Sequence, residues 1–254
     1  MAGLTDGNPQ GRANGATLFS AKNLSKSFGA LKVIQDLSFD VSAGEVLGVL
    51  GPNGAGKTTV FNVISGDLTA DHGEVILDGQ SLAGIPSFRR AAQGIGRTYQ
   101  IPRPYAQMTA FENLLVSSMF AGGLHGQHGY DHCAKILHDC GLSDKANRMA
   151  GALTLLDRKR LELARALAGK PKLLLLDEIA GGLTDGEAGE LVRLIGKIRD
   201  SGVTIIWIEH VLNAVMAVAD RLLVLNFGEK IAEGNPVEVM KDTEVRRIYM
   251  GIEA

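Results

Sequence analysis

The sequence predicts an α/β fold with a core of mainly parallel sheet, an antiparallel β subdomain and a helical subdomain. Three observations carry that prediction. A glycine-rich stretch, 51–59, stands between an apolar run at 45–50 and the first turns of a helix at 58–65. The run Leu173–Asp177 is four leucines that end abruptly in Asp177 and Glu178, as a buried parallel strand does when it delivers acidic groups to the carboxyl edge of its sheet. Between them, from about residue 86 to 167, the apolar spacing turns helical, with few strand candidates.

In chain order, residues 1–17 carry Gly3, Gly7, Gly11 and Gly15 with Pro9 and Asn14, a composition that cannot bury a core, and they are expected to form a flexible tail. Residues 18–254 form one domain, with 18–85 and 168–254 as the core plus antiparallel β subdomain and 86–167 as the helical subdomain. Segments 18–21, 24–28 and 33–41 have the alternation of antiparallel strands. Phe28, followed at once by Gly29, fits either an aromatic that stacks on a nucleotide base or a core phenylalanine.

The stretch Gly51, Pro52, Asn53, Gly54, Ala55, Gly56, Lys57, Thr58, Thr59 satisfies G-x-x-x-x-G-K-[ST] in full. Its glycines let successive N–H groups turn toward one anion, and the helix that follows adds the positive end of its dipole. Lys57 is then placed for the β- and γ-phosphates of a nucleotide, and the Thr58 hydroxyl for Mg²⁺. The core is therefore read as that of a P-loop NTPase.

Residues 73–80 form a short strand closing on the Asp78-Gly79 turn, and 94–104 form a loop punctuated by glycine and proline. Gln100 is the side chain in that loop that could both contact a metal-bound water and move. His125, His128, His132, Cys133, His138 and Cys140 raise the question of a metal, but no CxxC or HExxH pair anchors them, and the segment reads as a polar surface loop and helix. At the leucine strand's end, Asp177 would hold Mg²⁺, directly or through a water, and Glu178 would act as the base for the attacking water. A further buried strand, 203–208, ends in Glu209 and His210, where a histidine fits either a γ-phosphate contact or a satisfied surface position. A hairpin at 222–232 and a short final helix opened by Asn235-Pro236 complete the chain.

Composition narrows the function classes. At 254 residues, with a net charge of -2 and no basic stripe interleaved with aromatics, nucleic acid is not an expected partner. The two cysteines fit a reducing compartment, and no apolar stretch reaches the ~20 residues of a membrane span. The chain is expected to be cytoplasmic.

The order Phe28, 51–59, Gln100, Asp177-Glu178, His210 resembles that of ABC-transporter ATPases, with A-loop, Walker A, Q-loop, Walker B and H-switch in sequence. Within that superfamily, the stretches 61–66, 97–104 and 160–168 are most similar to the ATPase subunits of branched-chain amino acid importers, whose relatives also serve urea and amides. The resemblance implies an ABC ATPase that binds and hydrolyses ATP with Mg²⁺ at the inner face of the membrane. It also implies integral membrane permease subunits as partners, a second ATPase subunit, and indirectly a solute-binding protein. Gln100 would join Thr58 and Asp177 at the metal and, with Lys57, Glu178 and His210, serve hydrolysis. Phe28 would meet the base, Thr154 would face the γ-phosphate held by the opposite subunit, and 101–105 would meet a permease helix.

Two motifs depart from the family pattern. Where the family has Leu-Ser-Gly-Gly-Gln, this chain has Leu153-Thr154-Leu155-Leu156-Asp157, and its D-loop position reads Gly181-Gly182-Leu183-Thr184. Leucine side chains hinder close backbone approach, and Asp157 would oppose phosphate if it faced the ligand. A heterodimer with an ATPase of consensus signature is therefore the favoured assembly, with a homodimer still open if Thr154 and the helix after it suffice. Rival readings are an ATPase for another solute or an exporter, and a hydrolysis-impaired sensor. A GTPase would need an Asn-Lys-x-Asp sequence and a DNA-repair ATPase long heptad arms, and the sequence has neither.

Overall fold

The computed structural model describes residues 15–250. Of the tail expected over 1–17, residues 1–14 lie outside the described residues, and Thr17 already belongs to the first strand.

Two long strands open the fold, β1 (Thr17–Phe28) and β2 (Leu31–Ser42), followed by β3 (Val46–Leu50) and α1 (Lys57–Ser65). The segments 18–21 and 24–28, read as separate strands, are one strand with irregular register. Lys22 and Asn23 are exposed at the break, Asn23 takes φ 48°, and its N–H donates to Ser38 Oγ at 2.8 Å. Then come β4 (His72–Leu77), β5 (Gln80–Ser81) and α2 (Ser87–Ala92).

The next element corrects the sequence reading. Within 94–104, taken as a loop, β6 (Ile95–Arg97) pairs in parallel with the leucine strand, so part of the range assigned to the helical subdomain lies in the core sheet. Three helices follow, α3 (Ala110–Phe120), α4 (Gly126–Asp139) and α5 (Leu155–Ala168), with short 3-10 turns at Ser143–Lys145 and Ala150–Ala152. The histidine- and cysteine-bearing segment is largely α4, which buries Gly129, Cys133 and Leu137 at i, i+4 and i+8. Among the described residues, no group of three or more His, Cys, Asp or Glu is placed to hold a metal.

The chain returns to the core with β7 (Leu173–Asp177), α6 (Asp185–Asp200), β8 (Thr204–Ile208), α7 (Leu212–Met216), β9 (Arg221–Asn226) and β10 (Glu229–Gly234). Helix α8 (Pro236–Val239), capped by Asn235, is not final, because α9 (Thr243–Met250) follows it.

Strands β2-β1-β4-β5 form an antiparallel sheet, and β10-β9-β3-β8-β7-β6 form a second sheet that is parallel except for the β9–β10 hairpin. Every residue of β3, β7 and β8 is buried, which explains their unbroken apolar runs. Alternate residues supply two cores. Leu47, Leu175 and Ile206 pack toward the antiparallel sheet and α1, while Leu50, Leu174 and Trp207 pack toward the helices on the other face. The carboxyl ends of β3, β7 and β8 thereby come to one edge.

Candidate functional site

The loop from β3 to α1 is set by contacts that exclude side chains. Gly56 has φ 97°, and a Cβ there would stand 2.5 Å from the Val33 carbonyl oxygen; at Gly51 a Cβ would stand 2.4 Å from that of Leu225. Helix α1 then begins with no side-chain cap, so the first-turn N–H groups of Lys57, Thr58 and Thr59 are left for an anion. Lys57 folds back over the loop, its Nζ donating to Gly51 O at 2.6 Å and Pro52 O at 3.0 Å. Burial lowers its pKa from the ordinary lysine value, while Glu178 and Asp177 act to raise it.

Across from this loop, β7 delivers the two carboxylates differently. Asp177 is buried, and Arg97 Nη2 at the end of β6 lies 3.4 Å from its Oδ2 while Nη1 holds Asp67 at 3.0 Å. Burial pushes the Asp177 carboxyl above its usual range, against the Arg97 guanidinium, which works to lower it. Glu178 sits just past the strand at φ 43°, a sparsely populated conformation for a non-glycine residue, and its N–H donates to Ile208 O at 2.9 Å. The Gln100 Nε2 donates to Glu178 Oε2 at 2.6 Å, and His210 Nδ1 lies 3.8 Å from the same oxygen.

A cleft of about 530 Å³ is lined by residues 53–59 together with Val33, Gln100, Glu178 and His210. Gly51 and Pro52, whose carbonyls hold Lys57 Nζ, and the buried Asp177 do not line it. Phe28 and Thr154 are likewise not among the residues lining the cleft. Phe28 is half-exposed at the end of β1 with the Lys26 ammonium 5.7 Å from its ring centre, and Thr154 is exposed at the N-terminus of α5.

The unusual motifs have local explanations. Thr154 caps α5, accepting from Asp157 N at 3.3 Å and donating to Asp157 Oδ2 at 2.8 Å. Asp157 is buried against Lys145 at 2.9 Å, so its carboxylate turns inward, away from the exposed face where a phosphate would approach. Thr184 at the D-loop position caps α6 in a capping box with Glu187.

Sequence reasoning gave no site role to Arg97, Glu209 or Lys159. Glu209 is fully buried, and its carboxylate accepts from the N–H groups of Ala180, His210 and Val211, which fixes the turn carrying His210. No spacing in the sequence signals these three, because Asp177, Ala180 and Gln100, the partners that tie Arg97, Glu209 and Lys159 to the site, lie on other elements.

For a magnesium ion, the donor set is chemically suitable: the exposed Thr58 hydroxyl, the Asp177 carboxylate and the Gln100 amide are hard oxygen donors beside a phosphate cradle. Mg²⁺ characteristically takes one or two carboxylates and completes its shell with phosphate oxygens and water. Chemically, the cleft offers anion-binding N–H groups, a cation and a carboxylate within one space.

No helix among the described residues is long and apolar enough to cross a membrane. Residues 34–181 match the family model described as ABC transporter. The chain is 34% identical over 236 residues to the lipopolysaccharide export system ATP-binding protein LptB of Escherichia coli K12, covering 93% of this chain and 98% of that one. It is 36% identical over 249 residues to the high-affinity branched-chain amino acid transport ATP-binding protein LivG of the same strain, and 35% identical over 249 residues to BraF of Pseudomonas aeruginosa, each match covering 92% of this chain and 98% of the relative. The structure is similar to that of MJ1267, an ATP-binding cassette of an ABC transporter, in its ADP conformation. That likeness has a TM-score of 0.85 and 32% identity, covering 93% of this chain and 100% of that one. With identities above 30% over nearly its whole length and a family match across the nucleotide cleft, the chain belongs to the ABC transporter family as an ATP-binding, ATP-hydrolysing subunit.

Proposed function

We propose that this ATPase energises a membrane importer for branched-chain amino acids or related small solutes. The observation that carries the ATPase half is the convergence of Lys57, Gln100, Glu178 and His210 on one cleft beside an uncapped helix N-terminus. The solute class is supported by the 35–36% identity to BraF and LivG over 249 residues. A lipid-like cargo moved outward is the second reading, favoured by the 34% identity to LptB.

In this reading residues 51–59 hold the phosphates of ATP, Lys57 transferring its ammonium from the loop carbonyls to the β- and γ-phosphates. Thr58, Asp177 and Gln100 would hold Mg²⁺, which would supply positive charge to neutralise the negative charge of the phosphates. Glu178 takes a proton from the attacking water, and His210 contacts the γ-phosphate from the side, held by the Glu209 turn. Phe28, half-exposed at the end of β1, would meet the base.

The membrane partner docks on the groove between the end of α1, α2 and β6 on one side and α3 and α5 on the other, a cavity of about 290 Å³. Exposed Phe88 lines that groove, and the loop after β6 exposes Ile101 and Tyr105 as further apolar contacts. A solute-binding protein takes part indirectly, through the membrane subunits, and the ATPase lies at the inner membrane face.

Uptake of labelled leucine, isoleucine and valine in cells lacking this chain, restored by the wild type but not by Glu178→Gln, is the expected result. Unchanged uptake of all three, together with a defect in lipid export, would favour the second reading.

A further inference from the structure

Helix α5 carries a lysine where packing alone calls for an apolar side chain. Lys159 is 2% exposed. Removing an ammonium from water is costly unless its donors are met, and a leucine would fill the same space without that cost. Burial lowers the Lys159 pKa, while Glu209, Glu162, Glu178 and Asp177 act to raise it.

Its contacts are specific. Lys159 Nζ donates to the main-chain oxygen of Gln100 at 2.8 Å and to that of Glu178 at 3.4 Å. These are the two residues whose side chains meet at 2.6 Å in the cleft. The pair is thus joined twice, through its side chains on the cleft side and through Lys159 at the backbone. Glu178 occupies a left-handed conformation that surrounding structure must hold in place.

We propose that Lys159 is a positioning residue for ATP hydrolysis, bridging the main-chain oxygens of Gln100 and Glu178 from α5 and so fixing where the Glu178 carboxylate stands in the cleft. This rests on the reading of Glu178 as the base. It makes α5 part of the hydrolytic apparatus: a rotation of that helix is transmitted to the carboxylate through one ammonium.

The test uses the full chain purified with its membrane subunits. Steady-state kcat and KM, binding of a fluorescent ATP analogue and the thermal midpoint are measured for Lys159→Met, Lys159→Arg and Glu178→Gln. Lys159→Met is expected to lower kcat by roughly tenfold or more while analogue affinity stays within about twofold, the signature of a loss confined to the transition state. Lys159→Arg, which keeps a cationic donor, is expected to recover much of kcat. Should Lys159→Met fail to fold, Lys159→Gln retains a donor for one carbonyl and is expected to give an intermediate kcat with unchanged affinity. Near-normal kcat in Lys159→Met overturns the proposal, as does an equal loss in the Met and Arg variants that tracks the thermal midpoint. Normal hydrolysis by Glu178→Gln overturns the base assignment instead, so the two failures are distinct.

Discussion

The Gln100 amide nitrogen stands 2.6 Å from the Glu178 carboxylate, joining a loop after the edge strand β6 to the end of β7. The acceptor oxygen survives in Glu178→Gln, so that variant keeps this contact and the shape of the cleft. Only the ability to take a proton is lost. ATP affinity is expected to stay within about twofold while kcat falls by about 10²–10⁴, the usual contribution of a general base. Isothermal titration with ATP alongside a phosphate-release assay checks both halves, and near-normal turnover would refute the base assignment.

Lys57 tests the cradle itself. Its ammonium meets two loop carbonyls here and would transfer to phosphate oxygens when ATP binds. In Lys57→Met both the loop contacts and the phosphate contact vanish. A charge-assisted hydrogen bond contributes about 1.5–3 kcal/mol, so ATP affinity should fall by roughly 10–150-fold. The stabilisation of the fold by saturating ATP should shrink accordingly. Unchanged affinity by titration would mean that the nucleotide lies elsewhere.

Much of this site was legible in the sequence because its framework is local. The run into Gly51, the fixed positions to Thr58 and the leucines before Asp177 announce two buried strands and their chemistry without tertiary information. What escaped is non-local or too short to have a period. Strand β6 is three residues beside Gly94 and with Gly96 at its centre, and it exists because β7 offers it an edge. Arg97 meets Asp177 from 80 residues away, and Lys159 meets Gln100 across 59. Asp157 was expected to oppose a phosphate if it faced one. Lys145 in a preceding 3-10 turn draws it inward, a pairing that no helical period marks.

That pairing makes a pH prediction. Burial acts to raise the Asp157 pKa, but the hydrogen bonds from Lys145 and Thr154 outweigh it and leave the group below its usual value. A depressed carboxylate stabilises the fold fully above its unfolded pKa, and the stabilisation is lost as pH falls through the folded one. Asp157→Asn should therefore be less stable than the wild type at neutral pH, by about 1.5–3 kcal/mol for a hydrogen bond to a charged group. The gap should begin to narrow below about pH 5, where the unfolded carboxylate starts to protonate, and close further as pH falls through the folded value. Urea melts of both proteins from pH 7 to pH 3 measure it. A gap that stays constant to pH 3 would show that Asp157 acts through packing and not charge.

The same cluster governs how two ATPases could close on one nucleotide. Thr154 spends its hydroxyl proton on Asp157, and exposed Leu155 packs near Gly182, its Cδ2 3.5 Å from where a Cβ on that glycine would sit. A facing phosphate would therefore meet leucine at the point where two glycines would let backbone N–H groups approach. In a head-to-tail pair, two copies of this chain would present that surface to each other twice, whereas a partner with a glycine signature would complete at least the site built on Lys57 and Glu178. Glu178→Gln, which holds ATP without consuming it, is expected to remain monomeric by light scattering with saturating ATP and Mg²⁺. It should dimerise only when a second, non-identical ATPase of the transporter is added. An ATP-dependent dimer of the chain alone would show that Thr154 and the start of α5 suffice as a clamp, and a homodimer would then be the working assembly.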